Sequence, residues 1–262
     1  MSAAFADTIR SEWTKFRTIP ANIPTLLSAV ALMVGAGALT ANGAAENYQA
    51  NSQAARALFD PTYISMYGGF LFAQITVGAL GVLMVTHEYA TGLIRTSATV
   101  VPRRGRLLTA KTATYGLVAL VMGWVSSFGA YFLGQTVIGA GGGPTATLGQ
   151  PGVLRAVVGM GLIWALVGLL GVALGILLRA TMAATTVLVA VNFIIPVIGP
   201  RLMPDAVGEW VTTYWPISAG LQITTTVQNP DRMPPWTGLG VLAAFTAVLL
   251  VAAFALFRSR DT

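Results

Sequence analysis

The chain contains no cysteine and one histidine among its 262 residues. Disulfides, thiolate nucleophiles and cysteine-based metal sites are excluded, and a multi-histidine metal centre cannot form. Charge is scarce as well. Asp, Glu, Lys and Arg make up 9 % of the residues, where a soluble domain carries about 25 %. So few charges cannot clothe a water-exposed surface, so lipid must solvate much of the chain. No G-x-x-x-x-G-K-[ST] occurs, so nucleotide is not bound through a P-loop. His87 stands beside Glu88, but with no H-E-x-x-H and no G-x-S-x-G it lacks the company that hydrolysis requires. The chain is expected to be no enzyme and to hold no cofactor of its own. The sequence pI is near 10.1. The cations sit mostly at the ends of apolar runs, which suits anionic headgroups and membrane lipids rather than nucleic acid.

What the chain has is apolar length. Hydrophobic residues make up 55 % of it, with a mean hydropathy of +0.72. Six runs approach or exceed the roughly 20 residues that cross a bilayer as a helix: 23–41, 63–86, 112–139, 153–178, 182–199 and 237–257. Only Arg155 carries charge within them. With both termini inside, the inner segments hold eleven cations and four acids, net +7, and the outer segments hold four cations and five acids, net −1. Cationic loops stay in the cytoplasm, so both termini are expected there. The fold class expected is all-α, a polytopic membrane protein forming one domain over residues 1–262. The first run reads as a retained anchor rather than a cleaved signal. Arg-rich, Lys-poor usage with abundant Ala and Gly hints at a GC-rich bacterial genome.

Ahead of the first run, Phe5, Ile9, Trp13 and Phe16 recur at four, four and three residues, one face of a helix. Over 1–20 this predicts an amphipathic interfacial helix, with Trp13 and Phe16 at the headgroup boundary and Pro20 and Pro24 bending the chain into the first span. It serves either as a plain anchor or as a lever that also touches a cytoplasmic partner. In the fourth run Gly161, Gly168 and Gly175 repeat every seven residues, and Gly171 with Gly175 forms a G-x-x-x-G, which lets helices pack closely. Gln74, Thr76, Ser126, Ser127, Gln135 and Asn192 are polar but uncharged. Ion-coupled pumps usually keep an ionisable group within the bilayer, so this interior argues against ion coupling. Asn192 with Pro196 is expected to kink the fifth span. Residues 200–236, with Trp210, Tyr214 and Trp215 before Pro216, read as short interfacial or re-entrant helices on the outer face.

The richest segment is 87–111. It carries five of the fifteen cations: Arg95, Arg103, Arg104, Arg106 and Lys111. Leu93, Ile94 and Ser97 fall on one face of a short helix that Pro102 would stop, and Glu88 has Arg95 and Lys111 as potential partners. Residues alone leave two readings open: a basic turn that only sets topology, or a helix that docks into a partner's groove.

The stretch Glu88-Tyr89-Ala90-Thr91-Gly92-Leu93-Ile94-Arg95-Thr96, followed by Pro102-Arg103-Arg104-Gly105-Arg106 and Ala110-Lys111, resembles the loop after the second span of ABC-2 type transporter permeases. Arg10-Ser11-Glu12-Trp13-Thr14-Lys15-Phe16-Arg17 looks like that family's N-terminal connecting helix, and the six spans and Tyr214-Trp215-Pro216 fit as well. Leu93 departs from the pattern, since many members carry Thr there. The resemblance implies a coupling helix near 91–101 inside a cytoplasmic coupling loop. It implies a second permease, identical or related, and separate ATP-binding cassette subunits that hold ATP and Mg. It also implies a place in a bacterial cell membrane. The function expected is the permease subunit of an exporter of amphipathic or hydrophobic cargo, such as a drug, a peptide antibiotic or a lipid-like molecule. The alternatives are a secondary carrier or channel, for which no inverted repeat is visible, and a membrane scaffold without transport.

Overall fold

The computed structural model describes residues 3–90, 104–227 and 229–259. In chain order the helices are α1 (Ala3–Thr18), α2 (Asn22–Tyr48), α3 (Gln53–Ala57), α4 (Pro61–Ala90), α5 (Arg104–Ala140), α6 (Val153–Leu178) and α7 (Thr181–Val189). A π-helical segment, Ala190–Ile198, continues α7. Then come α8 (Gly199–Leu202), α9 (Asp205–Tyr214), α10 (Pro216–Leu221), one 3-10 turn (Gln222–Thr224) and α11 (Pro235–Ser259). No strand forms among the described residues. Six helical segments are long and apolar enough to cross a membrane, and each contains one of the six expected runs. The chain is thus all-helical, as a multi-pass membrane protein requires, because only internally hydrogen-bonded helices or closed barrels satisfy the backbone in lipid.

Burial sorts the spans. In α4 and α6, 67 % of the most apolar window is buried, against 22 % in α2, in Thr181–Leu202 and in α11. So α4 and α6 form the axis, and the others turn apolar side chains outward. Met182, Leu39, Val251, Val248 and Leu117 are more than 60 % exposed. Such a surface would be a liability in water and is the expected face toward lipid.

Glycine sets how tightly the axis closes. A Cβ at Gly171 would collide with the carbonyl of Gly78 on α4, and one at Gly175 would come within 3.0 Å of the Val82 carbonyl. At Gly161 it would strike the Trp124 ring on α5, and at Gly168 it would approach Tyr115. The glycine stripe is therefore two stripes. Gly171 and Gly175 seat α4, and Gly161 and Gly168 admit aromatic side chains of α5.

The helices outrun the apolar stretches that announced them. The basic stretch Arg104, Arg106 and Lys111 begins α5, where the expectation was loop through residue 111. At 37 residues and 1.5 Å per residue, α5 is about 55 Å long, well beyond an apolar layer of about 30 Å. The helix is therefore long enough to carry its charged first turns beyond that layer. The fifth span does not simply kink at Pro196. Its hydrogen bonding widens into π turns from Ala190 to Ile198. The Trp215 indole N–H donates to the Val191 carbonyl at 2.7 Å, so the junction of α9 and α10 braces the widened stretch.

The end of the bundle opposite α1 is closed by one carboxylate. Asp60, 7 % exposed, precedes Pro61 at the start of α4 and accepts the Tyr63 N–H at 2.9 Å, the capping role its side chain suits. The same carboxylate accepts the Thr226 N–H, the Thr226 hydroxyl at 2.8 Å and the Val227 N–H at 3.1 Å. Arg155 donates to the carbonyl of neighbouring Thr225. The only charge in the expected spans thus works at a helix end, holding the segment after α10.

Candidate functional site: an ionic node at the α1 end

Two glutamates and two lysines meet where α1 lies against the ends of α4 and α5. Lys111 Nζ donates to Glu12 Oε2 at 2.6 Å and to Glu88 Oε1 at 2.8 Å. Lys15 Nζ donates to Glu12 Oε1 at 2.7 Å and to Glu88 Oε1 at 3.2 Å. The side chains of Glu12, Lys111 and Glu88 are 0 %, 5 % and 8 % exposed, while Lys15 is 37 % exposed. The signs alternate and the node is neutral overall. That neutrality is what allows three of its members to leave water. Burial alone would lower the Lys15 pKa, but its hydrogen bonds and attraction to Glu12 and Glu88 outweigh this and raise it.

Local chemistry brings these groups together. Glu12 and Lys15 are one turn apart on α1 and form an i,i+3 pair. Phe16 docks α1 beside them. It is 1 % exposed and packs in the core with its ring 6.3 Å from that of Tyr115 on α5. Trp13 stays 45 % exposed. The expected apolar face of Phe5, Ile9, Trp13 and Phe16 is therefore split. Phe16 belongs to the bundle interior instead of the headgroup boundary, because the closure of the node draws that side of α1 inward. Glu12 lies on the flank of the same face.

The last turns of α4 bind in three directions. Glu88 enters the node. Thr86 accepts the Thr181 hydroxyl at 2.8 Å. The Arg179 guanidinium stands 5.2 Å from the Tyr89 ring centroid. Arg179 caps α6 in a left-handed conformation, φ 53°, so the turn between α6 and α7 is gathered to the same place. One rigid junction holds α1, α4, α5 and that turn. The 91–103 segment leaves and returns through it.

Of the sequence-derived site residues, Glu88 and Lys111 are brought together as one of the two expected pairings of Glu88; the other, with Arg95, falls outside the described residues. Arg104 and Arg106 lie in the first turn of α5, with Arg106 half-buried. Gly92, Leu93, Ile94, Arg95, Thr96, Pro102 and Arg103 lie outside the described residues. Glu12 was not anticipated as a site residue. The available signal was an acid bordering the apolar side of an amphipathic helix, one turn before a lysine. No group of three or more His, Asp or Glu suited to a metal ion occurs among the described residues.

A second concavity lies at the opposite end. Tyr63, Tyr67, Gln222, Thr212, Ser218 and Arg232 line a polar cavity of about 360 Å³ roofed by Pro196. The two tyrosine rings stack at 4.7 Å, and Arg232 donates to the Thr213 hydroxyl at 3.0 Å. Its polar groups are mostly engaged in holding the segments after the π turns. No family model matches the chain, and no curated protein matches it.

Proposed function

We propose that the chain is the membrane-spanning subunit of a bacterial ABC exporter, with the 91–103 segment as the contact for a separate ATP-binding subunit. The observation that carries this reading is the ionic node. A segment that receives force from a partner must hand it to the spans through a stiff connection. Here the exit of the segment (Glu88), its return (Lys111) and the helix beside them (Glu12, Lys15) are tied by four ionic contacts of 3.2 Å or less. A topology-setting turn has no need of such a tie. Displacement of the segment moves α1, α4 and α5 as a unit, and α4 carries the motion along the axis of the bundle through its glycine contacts with α6.

In this reading the α1 end faces the cytoplasm, which agrees with the inner excess of cations. Leu93 and Ile94 enter a groove of the ATPase, while Arg95, Arg103, Arg104 and Arg106 meet its acidic groups. ATP and Mg belong to that subunit. Closure of two such subunits on ATP shifts a pair of permeases from inward to outward access. The cargo is amphipathic or hydrophobic, in keeping with the uncharged buried groups Gln74, Ser126, Ser127 and Asn192 between the two ends of the spans. At the opposite end the braced π turns and the polar cavity provide a place where the fifth span can change its hydrogen bonding.

The test is purification of the tagged chain from native membranes in mild detergent. A co-purifying subunit with a P-loop, lost in Ile94→Asp while membrane insertion persists, is the expected result. A chain that purifies without any nucleotide-binding subunit favours a carrier or a scaffold and defeats the proposal.

A further inference from the structure

The polar cavity of about 360 Å³ at the end opposite α1 is walled by α4, the π segment, α9, α10 and the chain that follows α10. It sits at the small end of ligand cavities, which run from about 300 to 1,000 Å³. The charge on its wall is one-sided. Arg232 lines it, half-buried, and no Asp or Glu does so among the described residues. Nor does Arg232 form a salt bridge among those residues. Its guanidinium donates to the Thr213 hydroxyl at 3.0 Å, which leaves most of its N–H donors open. Asp60 acts on the same region, but its carboxylate already accepts from Tyr63, Thr226 and Val227 and is attracted by Arg155.

The uncharged groups share this bias. Thr212 and Thr225 spend their protons on the carbonyls of Glu209 and Gln222, and the Gln222 amide reaches the Ser218 carbonyl at 3.5 Å. The phenols of Tyr63 and Tyr67 are hydrogen-bonded to each other. That bond uses one phenolic proton and leaves the second for another acceptor. The Ser218 hydroxyl makes no hydrogen bond among the described residues. A cation, a phenolic proton and a serine proton are thus unspent, with no anion on the wall to receive them. Pro196, Leu221 and Val227 complete the lining with apolar surface.

We propose that this cavity binds a small organic carboxylate. The carboxylate meets the Arg232 guanidinium, whose planar fork suits two oxygens at once. Ser218 and the free phenolic proton of the tyrosine pair donate to its remaining lone pairs. The body of the acid lies against Pro196, Leu221 and Val227. An occupant so held touches α4, the π segment and the chain after α10 together, so it ties the fifth span to the axis of the bundle. The site rests on the cavity alone and is independent of the ATPase reading.

Equilibrium dialysis of the detergent-purified full chain against radiolabelled benzoate tests it, with benzamide as an uncharged probe of similar shape and empty micelles as the blank. The expected result is saturable uptake of one benzoate per chain, with benzamide about tenfold weaker or more, as loss of a charge-assisted hydrogen bond warrants. Arg232→Gln brings benzoate down to the level of benzamide. Arg232→Lys keeps the charge without the fork and weakens benzoate several-fold; it carries the test if the melting midpoint shows that the glutamine variant does not fold. Ser218→Ala weakens benzoate to a smaller extent. Arg56→Gln removes a cation of α3 that does not line the cavity and leaves benzoate uptake unchanged. Equal uptake of benzoate and benzamide by the unaltered chain overturns the proposal. So does benzoate binding that is unchanged in both Arg232 variants. Displacement of benzoate by inorganic phosphate as readily as by unlabelled benzoate overturns it as well, because the apolar wall would then contribute nothing.

Discussion

Removal of Lys111 should damage the protein far more than removal of Lys15. Lys111 bridges both acids from an almost wholly buried position, to Glu12 at 2.6 Å and to Glu88 at 2.8 Å. In Lys111→Met the methylene stem is kept, but the node passes from neutral to a charge of −1. The two carboxylates then share only Lys15. Breaking a buried pair by deleting one partner costs about 3–5 kcal/mol, because the remaining charge stays desolvated. For a chain of this size that is a fall in melting midpoint on the order of 10 °C. Lys15 reaches the same acids from a 37 % exposed position. Solvent screens it, so Lys15→Met should cost about 1 kcal/mol or less. The assay is thermal unfolding in one detergent at neutral pH, followed by tryptophan fluorescence. A second arm pairs Lys111→Met with Glu12→Gln, which restores neutrality and should recover much of the loss. Equal midpoints for the two lysine variants would refute the reasoning. A paired variant no better than Lys111→Met would show that packing, rather than charge balance, holds the junction.

Three further outcomes follow from the packing and the caps. Gly171→Ala sets a methyl against the Gly78 carbonyl and should cost about 1–3 kcal/mol, whereas Gly35→Ala, which meets nothing within 4 Å, should be neutral or slightly stabilising in the same melting assay. Asp60→Ala frees Tyr63, Thr226 and Val227 of their acceptor. It should cost about 3 kcal/mol and speed amide exchange at Thr226 and Val227, while Asp60→Asn, which keeps an acceptor oxygen, should cost less. The folded-state pKa of Lys15 is raised above 10.5, so its contribution is complete below that pH and is lost as pH climbs through the raised value. Melting midpoints taken from pH 8 upward should therefore fall more steeply in the alkaline range for the unaltered chain than for Lys15→Met.

The spans were legible because a run of about twenty apolar residues has almost no other use. Their ends were less so. Hydropathy reports where lipid begins, not where a helix does, so α5 starts at Arg104, eight residues before its apolar run. The glycines in 153–178 announced close packing, but a seven-residue repeat does not say that Gly171 faces α4 while Gly161 faces α5. Pro196 signalled a break in the fifth span; that the break is a π segment braced by Trp215 depends on a contact 24 residues away. The ionic node was half visible. Glu88 and Lys111 flank one segment, so their pairing is a local inference. Glu12 lies 99 residues from Lys111, and no local pattern reports a contact of that separation. Asp60 was counted only as one outer acid, for the same reason.

The central claim concerns what the segment after α4 touches. The chain lacks cysteine, so Ile94→Cys introduces a unique thiol without further engineering. That variant should be treated in native membranes with a short thiol-to-amine cross-linker, and the adducts identified by mass spectrometry. The account predicts a covalent adduct with a protein carrying a P-loop. The absence of any such adduct, or blocking of the thiol by a membrane-impermeant reagent added to intact cells, would contradict it.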